Sequence, residues 1–134
     1  MPSMQVTAAS VSDATHINRE KIEAAAKLIK PFIIETPLIE SPRLNDKLGI
    51  RLLVKAECLQ HTGSFKLRGA SNAVLSLDDT VKDVVAFSSG NHAQGVALAA
   101  ANRGLDATIV MPEDSPVSKI EGTKAYGANV ILYN

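Results

Sequence analysis

Apolar and polar residues fall along the chain in blocks whose period switches between that of a helix and that of a strand. Ile22, Ala25, Ala26 and Ile29 recur at helical spacing, which predicts a helix from an Asn18 cap to about Lys30, stopped by Pro31. Thr36-Pro37-Leu38 reads as a short extended piece, because Pro37 excludes Thr36 from helical dihedrals. Ser41-Pro42 starts a short helix that ends near Leu48, with Gly49 as its left-handed stop.

From Ile50 onward one unit repeats. The first copy is a strand over 51–57, a loop over 58–63 and a helix over 64–77. The second is the strand Val84 to Phe87, the turn Ser88-Ser89-Gly90 and the helix Asn91 to Arg103, closed by Gly104. The third is the strand Ala107 to Met111, the loop Pro112-Glu113-Asp114 and a helix from Ser115-Pro116 to about Tyr126; Val130-Ile131-Leu132 then opens a fourth strand. Strands alternating with helices predict an α/β fold: three αβα layers with a parallel sheet covered on both faces. The loops at 58–63, 88–90 and 112–115 would each leave a strand's carboxyl end along one edge, where open α/β sheets bind ligands. Lys66 and the Ser88–His92 stretch are therefore predicted neighbours.

Composition narrows this picture. The 134 residues are long enough for a real core; they are 46% hydrophobic but only 4% aromatic, which suits an Ala/Val/Leu/Ile interior. Fourteen basic residues balance fourteen acidic ones, giving no support for nucleic-acid binding or an anionic membrane surface. Cys58 stands alone, so no intrachain disulfide forms and a reducing, cytoplasmic setting fits. No apolar run approaches membrane-spanning length. Met1 to Ser12 carries no positive charge or long apolar run, and reads as a frayed tail rather than a secretory signal.

Two stretches carry candidate chemistry. In the first, Ser64 is placed to cap a helix whose first turn holds Lys66. A cation is unfavourable there, and Arg68 adds like-charge repulsion; both favour a neutral, nucleophilic amine. The alternative is an exposed helical lysine without a role. In the second, Ser88-Ser89-Gly90-Asn91-His92 exposes backbone N–H groups beside hydroxyls at a helix start, which suits a carboxylate or phosphate. Asn91 adds an amide that can serve a phenolic or carboxylate oxygen. The alternative is a plain capping turn, with Ser89 or Asn91 as the cap. Gly90 and Gly95 have phosphate-loop spacing, but Val96-Ala97 follows where Lys-Ser/Thr is needed, and no G-x-G-x-x-G follows a strand. His16, His61 and His92 are scattered and form no zinc pattern with one cysteine, so no metal site is expected. Glu57 and Cys58 read as structural.

Gln60-His61-Thr62-Gly63-Ser64-Phe65-Lys66-Leu67-Arg68-Gly69-Ala70 resembles the cofactor-lysine motif of fold type II pyridoxal-phosphate enzymes, in the threonine/serine dehydratase and serine racemase branch. Ser88-Ser89-Gly90-Asn91-His92-Ala93-Gln94-Gly95 resembles that branch's asparagine loop, and Thr36-Pro37-Leu38, Met111-Pro112 and Tyr126-Gly127-Ala128 fall in family order. The resemblance runs from about Asn18 to the last residue.

It implies pyridoxal 5'-phosphate as cofactor, bound by Lys66 as a Schiff base, with Phe65 against the ring and Asn91 on the ring's 3-oxygen. Ser88, Ser89, Gly90, Asn91 and His92 would hold the substrate carboxylate. Lys66 would take the α-proton of a hydroxyamino acid such as L-threonine or L-serine, and loss of the β-hydroxyl would lead to a 2-oxo acid and ammonia. Ser89 matches the opposite-face acid/base of serine racemase, which keeps racemisation open. The resemblance also implies a homo-oligomer for the full-length enzyme. Residues 1–49 would belong to the family's larger domain, and 50–134 would form the small αβα domain. The family's glycine-rich phosphate loop and the Ser or Cys facing the pyridine nitrogen have no counterpart in these residues. The chain is therefore expected to act as a truncated, weak or inactive lyase, or as a non-catalytic ligand-binding module. Its exposed apolar surface around Phe32, Ile33, Ile34 and Leu38 is expected to promote self-association.

Overall fold

The computed structural model describes residues 17–134, so the tail reading for Met1–Ser12 lies outside the described residues. Helix α1, Arg19–Ile29, begins where Asn18 Oδ1 accepts from the Lys21 amide at 2.8 Å. Of its expected stripe, Ile29 is buried and Ala25 half-buried, whereas Ile22 and Ala26 are exposed. The apolar spacing marks a face that the described residues cover only at its carboxyl end. A 3-10 turn, Lys30–Phe32, follows at Pro31. Strand β1 spans Leu38–Glu40; helix α2, Pro42–Leu48, is capped by Ser41 Oγ and released by Gly49 at φ 66°. Around the first turn, Phe32 and Ile33 are half-buried, while Leu38 is well exposed.

Strand β2, Leu53–Lys55, pairs antiparallel with β1, Ile39 opposite Val54. The expected strand over 51–57 is thus three residues long and stands outside the parallel sheet. A strand inside such a sheet is apolar on both faces, but Leu53, Val54 and Lys55 are all exposed. The Ala56 amide then donates to the Pro37 carbonyl at 3.0 Å, and the chain turns into a 3-10 segment, Glu57–Leu59. The β1–β2 ladder also joins residues on either side of position 49–50.

The main body starts with α3, Lys66–Leu75, followed by β3, Asp83–Phe87, α4, Asn91–Arg103, β4, Asp106–Pro112, α5, Val117–Ala125, and β5, Asn129–Tyr133. The three strands are parallel in the order β3-β4-β5. Each step moves the same way across the sheet, so right-handed crossovers bring α4 and α5 to one face. Burial agrees with this. Ala107, Ile109 and Met111 of β4 cluster with Ala93, Val96, Ala97 and Ala100 of α4 and with Ile120 of α5. On the other face Val85 is 63% and Phe87 74% exposed. The mixed α/β fold with its parallel sheet is present. The expectation of helices on both faces is not met among the described residues, for the topological reason just given.

Helix α3 packs along α4 through small side chains, with Ala70 and Val74 of α3 in the same buried cluster. Arg103, closing α4, donates to the Val74, Leu77 and Asp78 carbonyls and so satisfies the end of α3.

Candidate active site

Lys66 is the first residue of α3, preceded by Phe65 at φ −64°, ψ −15°. Ser64 does not act as the expected cap: its Oγ is buried without a hydrogen-bond partner among the described residues, so it accepts from no amide of the helix's first turn. Gly63 makes the turn into the helix, with φ 70° and its amide donating to the Gln60 carbonyl at 2.7 Å. The Gln60 side chain binds both the Ile34 amide (2.8 Å) and the Ile34 carbonyl (2.9 Å), and Tyr126 Oη donates to the His61 carbonyl at 2.9 Å. The loop before the lysine is therefore held from two distant points of the chain. Lys66 itself is exposed, with Nζ 5.1 Å from the Phe65 ring centroid.

Arg68 does not act on Lys66 as expected. Its Nε and Nη2 grip the Glu57 carboxylate at 2.9 and 2.7 Å, and Thr36 Oγ1 donates to the same group at 2.5 Å. This bidentate contact with Arg68 holds the Glu57 carboxyl down at about 2, against the opposing effect of burial, with help from Thr36 and Lys55. The charge of Arg68 is thereby compensated.

Ser88 Oγ accepts from the Gly90 and Ala93 amides at 3.4 and 3.2 Å, so Ser88 caps α4, rather than Ser89 or Asn91. The Asn91 and His92 amides, in the first turn, are left without an intrahelical acceptor. Ser89, Asn91 and His92 are exposed. Asn91 Oδ1 accepts from Lys119 Nζ at 2.5 Å, and Gln94 Oε1 accepts from the same amine at 3.1 Å.

The two stretches meet through Gly95, one turn into α4. A Cβ added there would lie 3.3 Å from the Lys66 carbonyl carbon and 3.4 Å from both the Leu67 nitrogen and the Ala70 Cβ. The start of α3 thus lies against the start of α4, which brings Lys66 beside the asparagine turn. The turns 88–90 and 113–116 do leave adjacent strands at one edge of the parallel sheet. Lys66 reaches that edge by helix packing, not by leaving a strand of that sheet.

Sequence reasoning missed Lys119, Gln94 and the Glu57–Arg68 pair. Gly95 and Gly122, each interior to a helix, were the available signals of close approach. Lys119 and Asn91 are 28 residues apart, so only the topology reveals them. Among the described residues no group of three His, Cys, Asp or Glu side chains could hold a metal ion.

The chain is 50% identical over 112 residues to the L-threo-3-hydroxyaspartate ammonia-lyase of Saccharomyces cerevisiae, covering 82% of this chain and 34% of the relative. It is 48% identical over 132 residues to the catabolic L-threonine dehydratase TdcB of Staphylococcus aureus, covering 96% and 38%. The solved structure of maize serine racemase superposes with a TM-score of 0.82 at 44% identity, covering 86% of this chain and 36% of that one. The chain spans little more than a third of the length of each. With residues 29–134 matching the family throughout, the chain belongs to the pyridoxal-phosphate dependent enzymes.

Proposed function

We propose that this chain forms the lysine-bearing part of a lyase that eliminates water and then ammonia from a hydroxyamino acid such as L-threonine or L-serine. The observation that carries the reading is the Gly95 contact, which sets the Lys66 backbone against the first turns of the helix that Asn91 begins. The residues fit pyridoxal 5'-phosphate. Thr62 Oγ1 and Ser64 Oγ, beside Lys66, are buried without a partner among the described residues, although buried hydroxyls are normally paired. An added Cβ at Gly90 would meet nothing within 4 Å, so the asparagine turn is open to a ligand.

When bound, the cofactor supplies an electron sink that acidifies the α-C–H bond of an amino acid. Lys66 Nζ would hold the cofactor and then carry the α-proton, and the exposed Phe65 ring would lie against its face. Asn91 Nδ2 would donate to the ring oxygen. The substrate carboxylate would meet the Asn91 and His92 amides, which have no intrahelical acceptor, and the Ser89 hydroxyl at Gly90; Ser88 Oγ accepts from two α4 amides, which leaves its O–H able to donate to the same carboxylate. A second reading, racemisation, rests on Ser89, exposed at this edge, together with the likeness to serine racemase.

Because α3, α4 and α5 share one buried cluster with the parallel sheet, we assign the α3–β5 body to the small domain. The β1–β2 ladder would go with the larger one, which moves the expected division at 49–50. A cytoplasmic homo-oligomer completes the reading; no helix among the described residues is long and apolar enough to cross a membrane.

The test is titration of the chain with pyridoxal 5'-phosphate, followed by borohydride reduction and peptide mass mapping. A visible absorption band lost in Lys66→Ala, with the label on Lys66, is the expected result. A band that survives the substitution, or label spread over the other lysines, would overturn the assignment. Formation of 2-oxobutanoate from L-threonine, against D-serine from L-serine, separates elimination from racemisation.

A further inference from the structure

We propose that Lys119 is a positioning residue that fixes which way the Asn91 amide faces; the consequence for cofactor binding rests on the function proposed above. An asparagine side chain presents an acceptor at one end and two donors at the other, and a lysine can only donate. Lys119 Nζ lies 2.5 Å from Asn91 Oδ1, so the oxygen is turned toward α5 and Nδ2 is turned away from it. That is the orientation an asparagine needs to donate to a ring oxygen. Asn91 is exposed, and without such a tether its amide would rotate freely.

The tether is itself supported. Lys119 Nζ also donates to Gln94 Oε1 at 3.1 Å, so one amine bridges two amides a turn apart on α4. Gln94 keeps this pose because Gly122, in α5, has no side chain: a Cβ there would sit 2.1 Å from Gln94 Nε2. The glycine in α5, the glutamine and lysine, and the asparagine form one connected set, and only the last touches the proposed cofactor.

The test uses the 15N-labelled chain, with and without pyridoxal 5'-phosphate. In the unliganded wild type the Asn91 side-chain amide is expected to be ordered, and in Lys119→Met its order parameter should fall below about 0.6. Pyridoxal 5'-phosphate should bind Lys119→Met about tenfold more weakly while still labelling Lys66, the loss expected for one charge-assisted hydrogen bond. Lys119→Arg, which keeps donors, should retain both properties. Gly122→Ala, which displaces Gln94, should loosen Asn91 without removing the amine, and stands in if Lys119→Met does not fold. An Asn91 amide equally ordered, with unchanged affinity, in Lys119→Met or, failing that, in Gly122→Ala would overturn the proposal. If the wild type takes up no cofactor on Lys66, the proposed function fails, yet the unliganded Asn91 signal still decides the role of Lys119.

Discussion

Replacing Glu57 by glutamine removes the carboxylate that Arg68 grips while keeping its shape. In the folded chain this carboxyl titrates at about 2 instead of the ordinary 4.5, chiefly because Arg68 donates two hydrogen bonds to it. A difference of that size corresponds to about 3 kcal/mol of stability at neutral pH. Arg68 keeps 29% of its side chain exposed, so solvent screening lowers this to about 2 kcal/mol. The sign follows from a folded value below the unfolded one. The contribution is complete above pH 4.5 and is lost as the pH falls toward 2. Glu57→Gln should therefore unfold about 7 °C earlier at pH 7, with the gap from wild type closing on acidification. Glu40 and Asp78 are also held below the usual carboxylate range, by Arg51 and Thr80 respectively, and they titrate in both proteins, so the comparison isolates Glu57. Urea denaturation of both proteins across this range is the assay. Parallel stability curves for the two proteins, with a gap that does not depend on pH, would refute the assignment.

Two further outcomes are expected. Gly95→Ala places a methyl 3.3 Å from the Lys66 carbonyl carbon, so it should cost about 1–3 kcal/mol and weaken cofactor uptake by Lys66; an unchanged melting curve and affinity would show that the helices have room. Arg103→Met removes the guanidinium donor from the Leu77 carbonyl and from the Val74 and Asp78 carbonyls, which keep a backbone donor each, and should cost about 2 kcal/mol in chemical denaturation, and a loss under about 0.5 kcal/mol, the size of an ordinary surface substitution, would count against that role.

Helix ends were the most legible part of the chain. Asn18, Ser41, Gly49 and Gly104 act locally, and each sits where its chemistry places it. The parallel strands could be read because Val84–Phe87, Ala107–Met111 and Val130–Leu132 are short apolar runs between turns. The segment 51–57 misled, since Leu52, Leu53 and Val54 look like a buried strand although pairing with β1 leaves Leu53 and Val54 exposed. Lys66, Asn91 and their two turns were legible as motifs. How they come together was not, because that depends on a glycine contact between two helices. Arg68 shows the same limit: its proximity in sequence suggested repulsion, while its actual partner, 11 residues earlier, removes it.

Helix α5 contributes no reacting group, yet it reaches both halves of the site. At its beginning Lys119 holds the side chain of Asn91, and just past its end Tyr126 holds the loop that presents Lys66. A rod about 14 Å long thus links the amine and the amide mechanically in series. Were it to shift sideways, both would be displaced together, so their spacing behaves as one coordinate and not as two independent ones.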